Sequence, residues 1–146
     1  MSELLRQVHF LIAEDDEVDI LALKRILIDL DQDIAFSIAH DGSEVLSILR
    51  ENVTKGDEAE NFIVLLDLNM PRMNGHEFLE ELRKDESIAD TVVFVLSTSV
   101  DPRDINRTYQ HHVSGYIPKD RLEASSFRKL FESYLELNSF PQRPGG

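Results

Sequence analysis

Four apolar runs in this chain end abruptly in residues that can do chemistry. "FLIA" runs into Glu14, Asp15 and Asp16, and "IVLL" runs into Asp67. "VVFVL" runs into Ser97 and Thr98, and "GYIP" into Lys119. A carboxylate beside an apolar core must be paired or neutralised, so Asp67 needs a partner from a distant segment. Several carboxylates crowded together raise one another's pKa. A hard divalent cation resolves that repulsion. Mg²⁺ takes oxygen ligands, keeps several waters and often completes its shell with a phosphate. Lys119 adds a second positive charge near Asp67. A carboxylate held by Mg²⁺ and an ammonium can attack a phosphoryl group and form an acyl phosphate. Metal and ammonium then neutralise the equatorial oxygens in the transition state. The Ser97 hydroxyl can hydrogen-bond a phosphoryl oxygen and carry the event outward.

Convergence of these segments requires that their strands run the same way, and the elements between them say so. Val8–Ala13 reads as a buried strand, followed by Ile20, Leu23, Leu27 and Leu30 at helical spacing. Ile34, Phe36 and Ile38 alternate as a second strand. Asp41-Gly42-Ser43 supplies a turn and an N-cap for a helix whose inner face is Val45, Leu46 and Leu49. Residues 52–61 are polar and read as a surface loop, before a third strand at Phe62–Leu66. Phe78, Leu79 and Leu82 mark the next helix, and Thr91–Leu96 the fourth strand. Asp101-Pro102 starts a polar helix with proline at a tolerated first-turn position. Gly115–Pro118 is a fifth short strand. Phe127, Leu130, Phe131, Tyr134 and Leu135 then form the strongest amphipathic pattern in the chain. Five continuous apolar strands alternating with five helices predict an α/β fold, a parallel sheet covered on both faces. Ligands of such sheets sit at the carboxyl ends of the strands, where all four groups stand.

Composition narrows the alternatives. A length of 146 residues suits one domain, expected over residues 1–140, with the last helix and its extension at 122–140 and a disordered tail at 141–146. The absence of cysteine excludes disulfides, zinc-thiolate sites and thiol catalysis. A net charge of −13 argues against nucleic acid and anionic membrane as partners. With no membrane-length apolar run and no signal-peptide core, the expected location is cytoplasmic.

Taken in order, "FLIAEDD", "VLLDLNMPRMNG", "VLSTS" and "GYIPK" resemble the receiver domain of two-component response regulators, over roughly residues 7 to 136. Each motif alone is weak; the ordered set, each at a strand end, is specific. The resemblance implies a flavodoxin-like three-layer fold and a role for each residue. Asp67 accepts phosphate from a histidine kinase. Asp15 binds Mg²⁺ directly, Glu14 through water, and Asn69 through its backbone carbonyl. Ser97 is the switch hydroxyl, Tyr116 the switch aromatic, and Lys119 the lysine of the phosphorylation site. Two registers of the acidic pair are open; aligning "FLIA" with the family's first strand favours Glu14 and Asp15, and leaves Asp16 as an alternative ligand. The sequence departs from the family in Asp120, where a proline usually follows the lysine. A trans peptide is expected there. It departs also in serine rather than threonine at Ser97 and in the longer loop at 52–61. "Ser-Thr-Ser" after the fourth strand, the polar residue after Lys119, that loop and the aromatic C-terminal helix resemble the small single-domain regulators paired with phytochrome-type histidine kinases.

Blander readings stand beside each residue. The acids at 14–16 suit a helix N-terminus, Asp67 a turn, Ser97 a loop start and Lys119 the surface; their joint occurrence favours the metal and phosphoryl site. Met70-Pro71 and Asn74-Gly75 are turn chemistry. His111-His112 reads as a solvated pair, because neighbours on a helix diverge. Leu137 and Phe140 lie beyond the core repeat and are read as a homodimer contact. The expected function is a single-domain regulator that signals by protein contact or dimerisation, with no enzymatic turnover beyond self-phosphorylation and autodephosphorylation of Asp67. Three rivals remain: a pseudo-receiver that is never phosphorylated, an FMN carrier, and an aspartyl-nucleophile phosphatase. The phosphatase would want an acid where Asn69 stands.

Overall fold

The computed structural model describes residues 3–138. Five strands form one parallel sheet: β1 His9–Ala13, β2 Ala35–Ala39, β3 Phe62–Asp67, β4 Val92–Ser97 and β5 Gly115–Pro118. Their order is β2-β1-β3-β4-β5. Between and around them lie α1 Glu3–Arg6, α2 Glu17–Leu30, α3 Gly42–Val53, α4 Gly75–Lys84, α5 Pro102–Gln110 and α6 Ala124–Leu137. The sheet, its order and the helices on both faces make a flavodoxin-like three-layer fold. Five helices were expected; α1 is a sixth, and single 3₁₀ turns stand at Gly56–Glu58 and Lys119–Arg121.

The strands' period of two sorts their side chains into two cores. Phe10, Ile12, Ile63, Leu65, Phe94 and Leu96 pack under α1, α2 and α6; Leu11, Ala13, Val64, Leu66, Val93 and Val95 pack under α3 and α4. In the first core Phe10, Phe94, Phe127 and Phe131 form a ring cluster with centroids 4.5 to 5.3 Å apart. Each such side chain stabilises the fold by about 1.5–3 kcal/mol through burial. Leu130, placed on the inner face by the i, i+3 pattern, sits instead at the exposed rim of α6. The helix turns Phe127 and Phe131 squarely inward, and Leu130 rides beside them rather than over the sheet.

Short polar residues start the helices, where they stop the chain on the carboxyl side of the sheet. Asp16, Asp41 and Asp101 accept the backbone N–H two residues on, and Asn74 makes a reciprocal capping box with Glu77. Each cap contributes about 1 kcal/mol. The polar stretch at 52–61 is held by one side chain. Asn52 donates to the carbonyl of Glu60 at 2.9 Å and accepts its N–H at 2.8 Å.

Candidate functional site

Strand register sets the site. Ala13 pairs with Leu66, so Glu14 stands level with Asp67; Asp67 pairs with Leu96, and Ser97 pairs with Pro118, just before Lys119. The carboxyl ends of β1, β3, β4 and β5 therefore present their polar residues on one edge. Carboxylate oxygens of Glu14, Asp15 and Asp67 all lie within 4.8 Å of one another. Glu14 and Asp67 are buried, and Asp15 faces solvent. Two buried oxygens and one exposed one suit a hard cation that keeps waters on its open side.

Asp16 takes a different part. Its side chain accepts the Val18 N–H at 2.9 Å as the N-cap of α2. The three consecutive acids thus divide, with Glu14 and Asp15 in the cluster and Asp16 on the helix start.

Lys119 reaches across the sheet. Its Nζ donates to Glu14 Oε1 at 2.7 Å and to Asp19 Oδ2 at 2.7 Å, and lies 3.4 Å from Asp67 Oδ1. Burial works against the ammonium, but the hydrogen bonds to Asp19 and Glu14, and the charge of Asp67, outweigh it and hold the Lys119 pKa above its ordinary value. The Glu14 pKa rises too, which for a carboxyl disfavours the charged form. Burial pushes it up to about 7, with Asp67 adding to the rise and Lys119 opposing it. Asp19 belongs to this site and was not anticipated. It lies one helical turn beyond Asp15, and that i+4 spacing from an acid already placed in the pocket is the signal that points to it. The Lys119–Asp120 peptide is trans, as expected for a non-proline, and it opens the 3₁₀ turn Lys119–Arg121.

The loop after Asp67 is shaped by two close approaches. Gly75 donates its N–H to the Leu68 carbonyl at 2.9 Å, and a Cβ on Gly75 would lie 2.6 Å from Leu68 Cα. Gly42 donates to the Met73 carbonyl at 3.1 Å, and a Cβ there would lie 2.8 Å from Met73 Cγ. Between them Arg72 adopts φ 60°, a left-handed conformation costing about 1–2 kcal/mol. Its guanidinium offsets that cost by donating Nε–H to the buried Asp41 Oδ2 at 2.8 Å. Hydrogen bonds from Ser43 and Arg72 hold the Asp41 carboxyl well below the usual range. The loop carrying Asn69 is thereby tied to the first turn of α3 and to the start of α4. Asn69 itself is exposed.

The remaining residues fall as follows. Ser97 is buried, and its Oγ accepts the Ser99 N–H at 3.1 Å; Thr98 is exposed. Tyr116 is half-buried and donates its hydroxyl to the Ser99 carbonyl at 3.1 Å. The carbonyls of His111 and His112 accept from Arg83, which anchors the end of α5. Leu137, the last residue of α6, is 84% exposed, and Phe140 lies outside the described residues. Among the described residues no helix is long and apolar enough to cross a membrane.

Comparison with known proteins gives a family and similar structures. The response regulator receiver domain family matches residues 10–131. Response regulator Rcp1 of Synechocystis is 28% identical over 130 residues, covering 89% of this chain and 86% of that protein. The crystal structure of the phosphorylated cyanobacterial phytochrome response regulator RcpA superposes with a TM-score of 0.73 at 27% identity, over 93% of this chain and 99% of that one. The Mn²⁺-bound form of Rcp1 superposes with a TM-score of 0.71 at 27% identity, over 92% of this chain and 99% of that one.

Proposed function

The chain belongs to the response regulator receiver domain family, and from that premise we propose that it is a single-domain phosphoacceptor which takes a phosphoryl group on Asp67 from a histidine kinase. The observation that carries this reading is the grouping of Asp67 with Glu14 and Asp15 within 4.8 Å, under an ammonium 3.4 Å from Asp67. Asp67 Oδ attacks the phosphorus. The bond to the donor histidine nitrogen breaks, and that nitrogen leaves with the electron pair. Glu14, Asp15, the Asp67 carboxylate and the Asn69 carbonyl are the proposed ligands of Mg²⁺. The cation, when bound, offsets negative charge on the transferring phosphoryl oxygens. Lys119 holds a positive charge against both Glu14 and Asp67 and orients Asp67 through it. Ser97 gives its hydroxyl to a phosphoryl oxygen, and Tyr116 follows the loop that Ser97 moves.

Output then passes to the face made by β4, α5, β5 and α6. A phytochrome-type kinase is the proposed donor, supported by the likeness to a phytochrome response regulator. A second copy docked through the exposed Leu137 and through Phe140 is the proposed form of output. The setting is cytoplasmic, and the chain's own chemistry is limited to phosphorylation and dephosphorylation of Asp67.

The test is intact mass after treatment with acetyl phosphate, with and without Mg²⁺. A metal-dependent gain of one phosphoryl group that disappears in Asp67→Asn is the expected result. No gain under any condition would replace this reading with a binding module that is never phosphorylated.

A further inference from the structure

Beside the phosphorylation site lies a cleft of about 370 Å³ between the loop after β3 and the loop after β4, lined among others by Asn69, His76, Ser97, Ser99 and Asp104. Ser99 is fully engaged there. Its N–H donates to Ser97 Oγ at 3.1 Å, its carbonyl accepts from Tyr116 at 3.1 Å, and its hydroxyl donates to Asp104 Oδ2 at 2.7 Å. The other oxygen of Asp104 lies 3.6 Å from His76 Nε2, on the first turn of α4. That imidazole is mostly buried, with a side-chain exposure of 12%.

A plain helix-start account covers only part of this. Asp101 already caps α5, accepting the Arg103 N–H at 2.9 Å. An acid in the first turn suits the helix dipole, but that preference does not require Asp104 to turn back on Ser99 or to face His76 on another helix. We propose that Asp104 and His76 form a clasp across this cleft, holding Ser99 and therefore the switch hydroxyl Ser97 in the resting arrangement. The proposal rests on the phosphoacceptor reading of Asp67. For Ser97 to serve a phosphoryl oxygen, either its Oγ leaves the Ser99 N–H, which then lacks an acceptor, or the loop follows it. If the loop follows, the Ser99 hydroxyl is drawn off Asp104. Both routes cost a charge-assisted hydrogen bond or strand a backbone donor. Asp104 and His76 act through Ser99, so they are positioning residues, and loss of the clasp favours the phosphorylated arrangement.

The test uses beryllofluoride, a tetrahedral mimic of the phosphoryl group, at fixed saturating Mg²⁺. Binding is followed by the amide signal of Ser97 in ¹⁵N-labelled protein. Asp104→Ala and Ser99→Ala each remove the Ser99–Asp104 hydrogen bond, by different routes; Ser99→Ala keeps its own backbone groups but also frees the Asp101 N–H, which its hydroxyl accepts at 3.3 Å. Each single variant is expected to bind beryllofluoride about fivefold more tightly. The double variant is expected to bind no more tightly than either single one, because the Ser99–Asp104 bond is already lost in each. His76→Gln is expected to shift binding in the same direction by a smaller factor. Unchanged or weaker binding in both single variants would overturn the clasp, as would effects that multiply in the double variant. Failure of the unsubstituted protein to bind beryllofluoride with Mg²⁺ would instead overturn the phosphoacceptor reading on which the clasp depends.

Discussion

Lys119→Met removes a single ammonium that meets three carboxylates. Met keeps the length and the apolar stem, so the change isolates the charge. Glu14 and Asp67 are 2% and 7% exposed in their side chains, and Lys119 is 17% exposed. Removing one member of a buried pair costs about 3–5 kcal/mol. The lower end applies here, because Asp19 is 37% exposed and water can screen it. In EDTA the variant is therefore expected to lose about 3 kcal/mol, or about 10 °C in Tm for a chain of this size. Mg²⁺ should reverse much of that loss. With Lys119 gone, the carboxylates no longer share their charge with an ammonium, so the cation binds more tightly and stabilises by a larger RT ln(1 + [Mg²⁺]/Kd). The assay is a pair of thermal melts for each protein, in EDTA and in millimolar Mg²⁺. The expected result is a larger Mg²⁺-induced rise in Tm for the variant than for the unsubstituted protein. An equal rise in both would refute the reasoning, since it would mean that ammonium and metal do not answer to the same carboxylates. Unchanged stability in EDTA would refute it as well.

Glu14 carries a signed pH dependence. Its folded pKa of about 7 lies above the ordinary carboxyl value of about 4.3. Between these two the folded state keeps a proton that the unfolded state has released, so metal-free stability falls as pH rises through this window, and the penalty is complete above it. Urea melts of the EDTA-treated protein from pH 5 to pH 8 should show that decline, and Glu14→Gln should flatten it. Gly75→Ala sets helix propensity against a clash. Alanine gains about 1 kcal/mol within a helix, but its Cβ would press on Leu68 Cα at 2.6 Å, and overpacking of that kind costs about 1–3 kcal/mol. The variant is expected to be less stable in urea melts. It should also label more slowly with acetyl phosphate, because Leu68 moves with its neighbour Asp67.

Much of this was legible because a parallel sheet buries its strands on both faces. Such strands read as unbroken apolar runs, and the first polar residue after each run marks its carboxyl end. Glu14, Asp15, Asp67, Ser97 and Lys119 all announce themselves in that way. What stayed hidden depends on contacts over long separations or on pieces too short to show a period. Asp19 meets Lys119 across 100 residues, from the first turn of a helix, where an acid looks like an ordinary answer to the helix dipole. Arg72 and Asp41 pair across 31 residues, and nothing at either position signals the other. The helix Glu3–Arg6 is a single turn, yet its Leu5 is fully buried in the core shared with Phe127 and Phe131. Leu130 shows the reverse error, since regular spacing cannot say which of two adjacent rows on a helix meets the sheet. Residue type alone does not apportion the three consecutive acids at 14–16, because helix cap and metal ligand ask for the same side chain; it is the register of "FLIA" against the family's first strand that favours Glu14 and Asp15.

The ammonium of Lys119 comes from the turn that follows the edge strand β5, while the acids it serves come from the end of β1, from β3 and from α2. The pair Lys119–Glu14 is separated by 105 residues. A nascent chain that has released only its first hundred residues holds every carboxylate of the site and none of the charge that orders them. It is also missing Tyr116 and α6. On the proposed reading, competence to receive a phosphoryl group therefore waits for the segment after β5, late in synthesis. If Asp67 is the phosphoacceptor, a signal written on it would also report that the strand at the far edge of the sheet is in place.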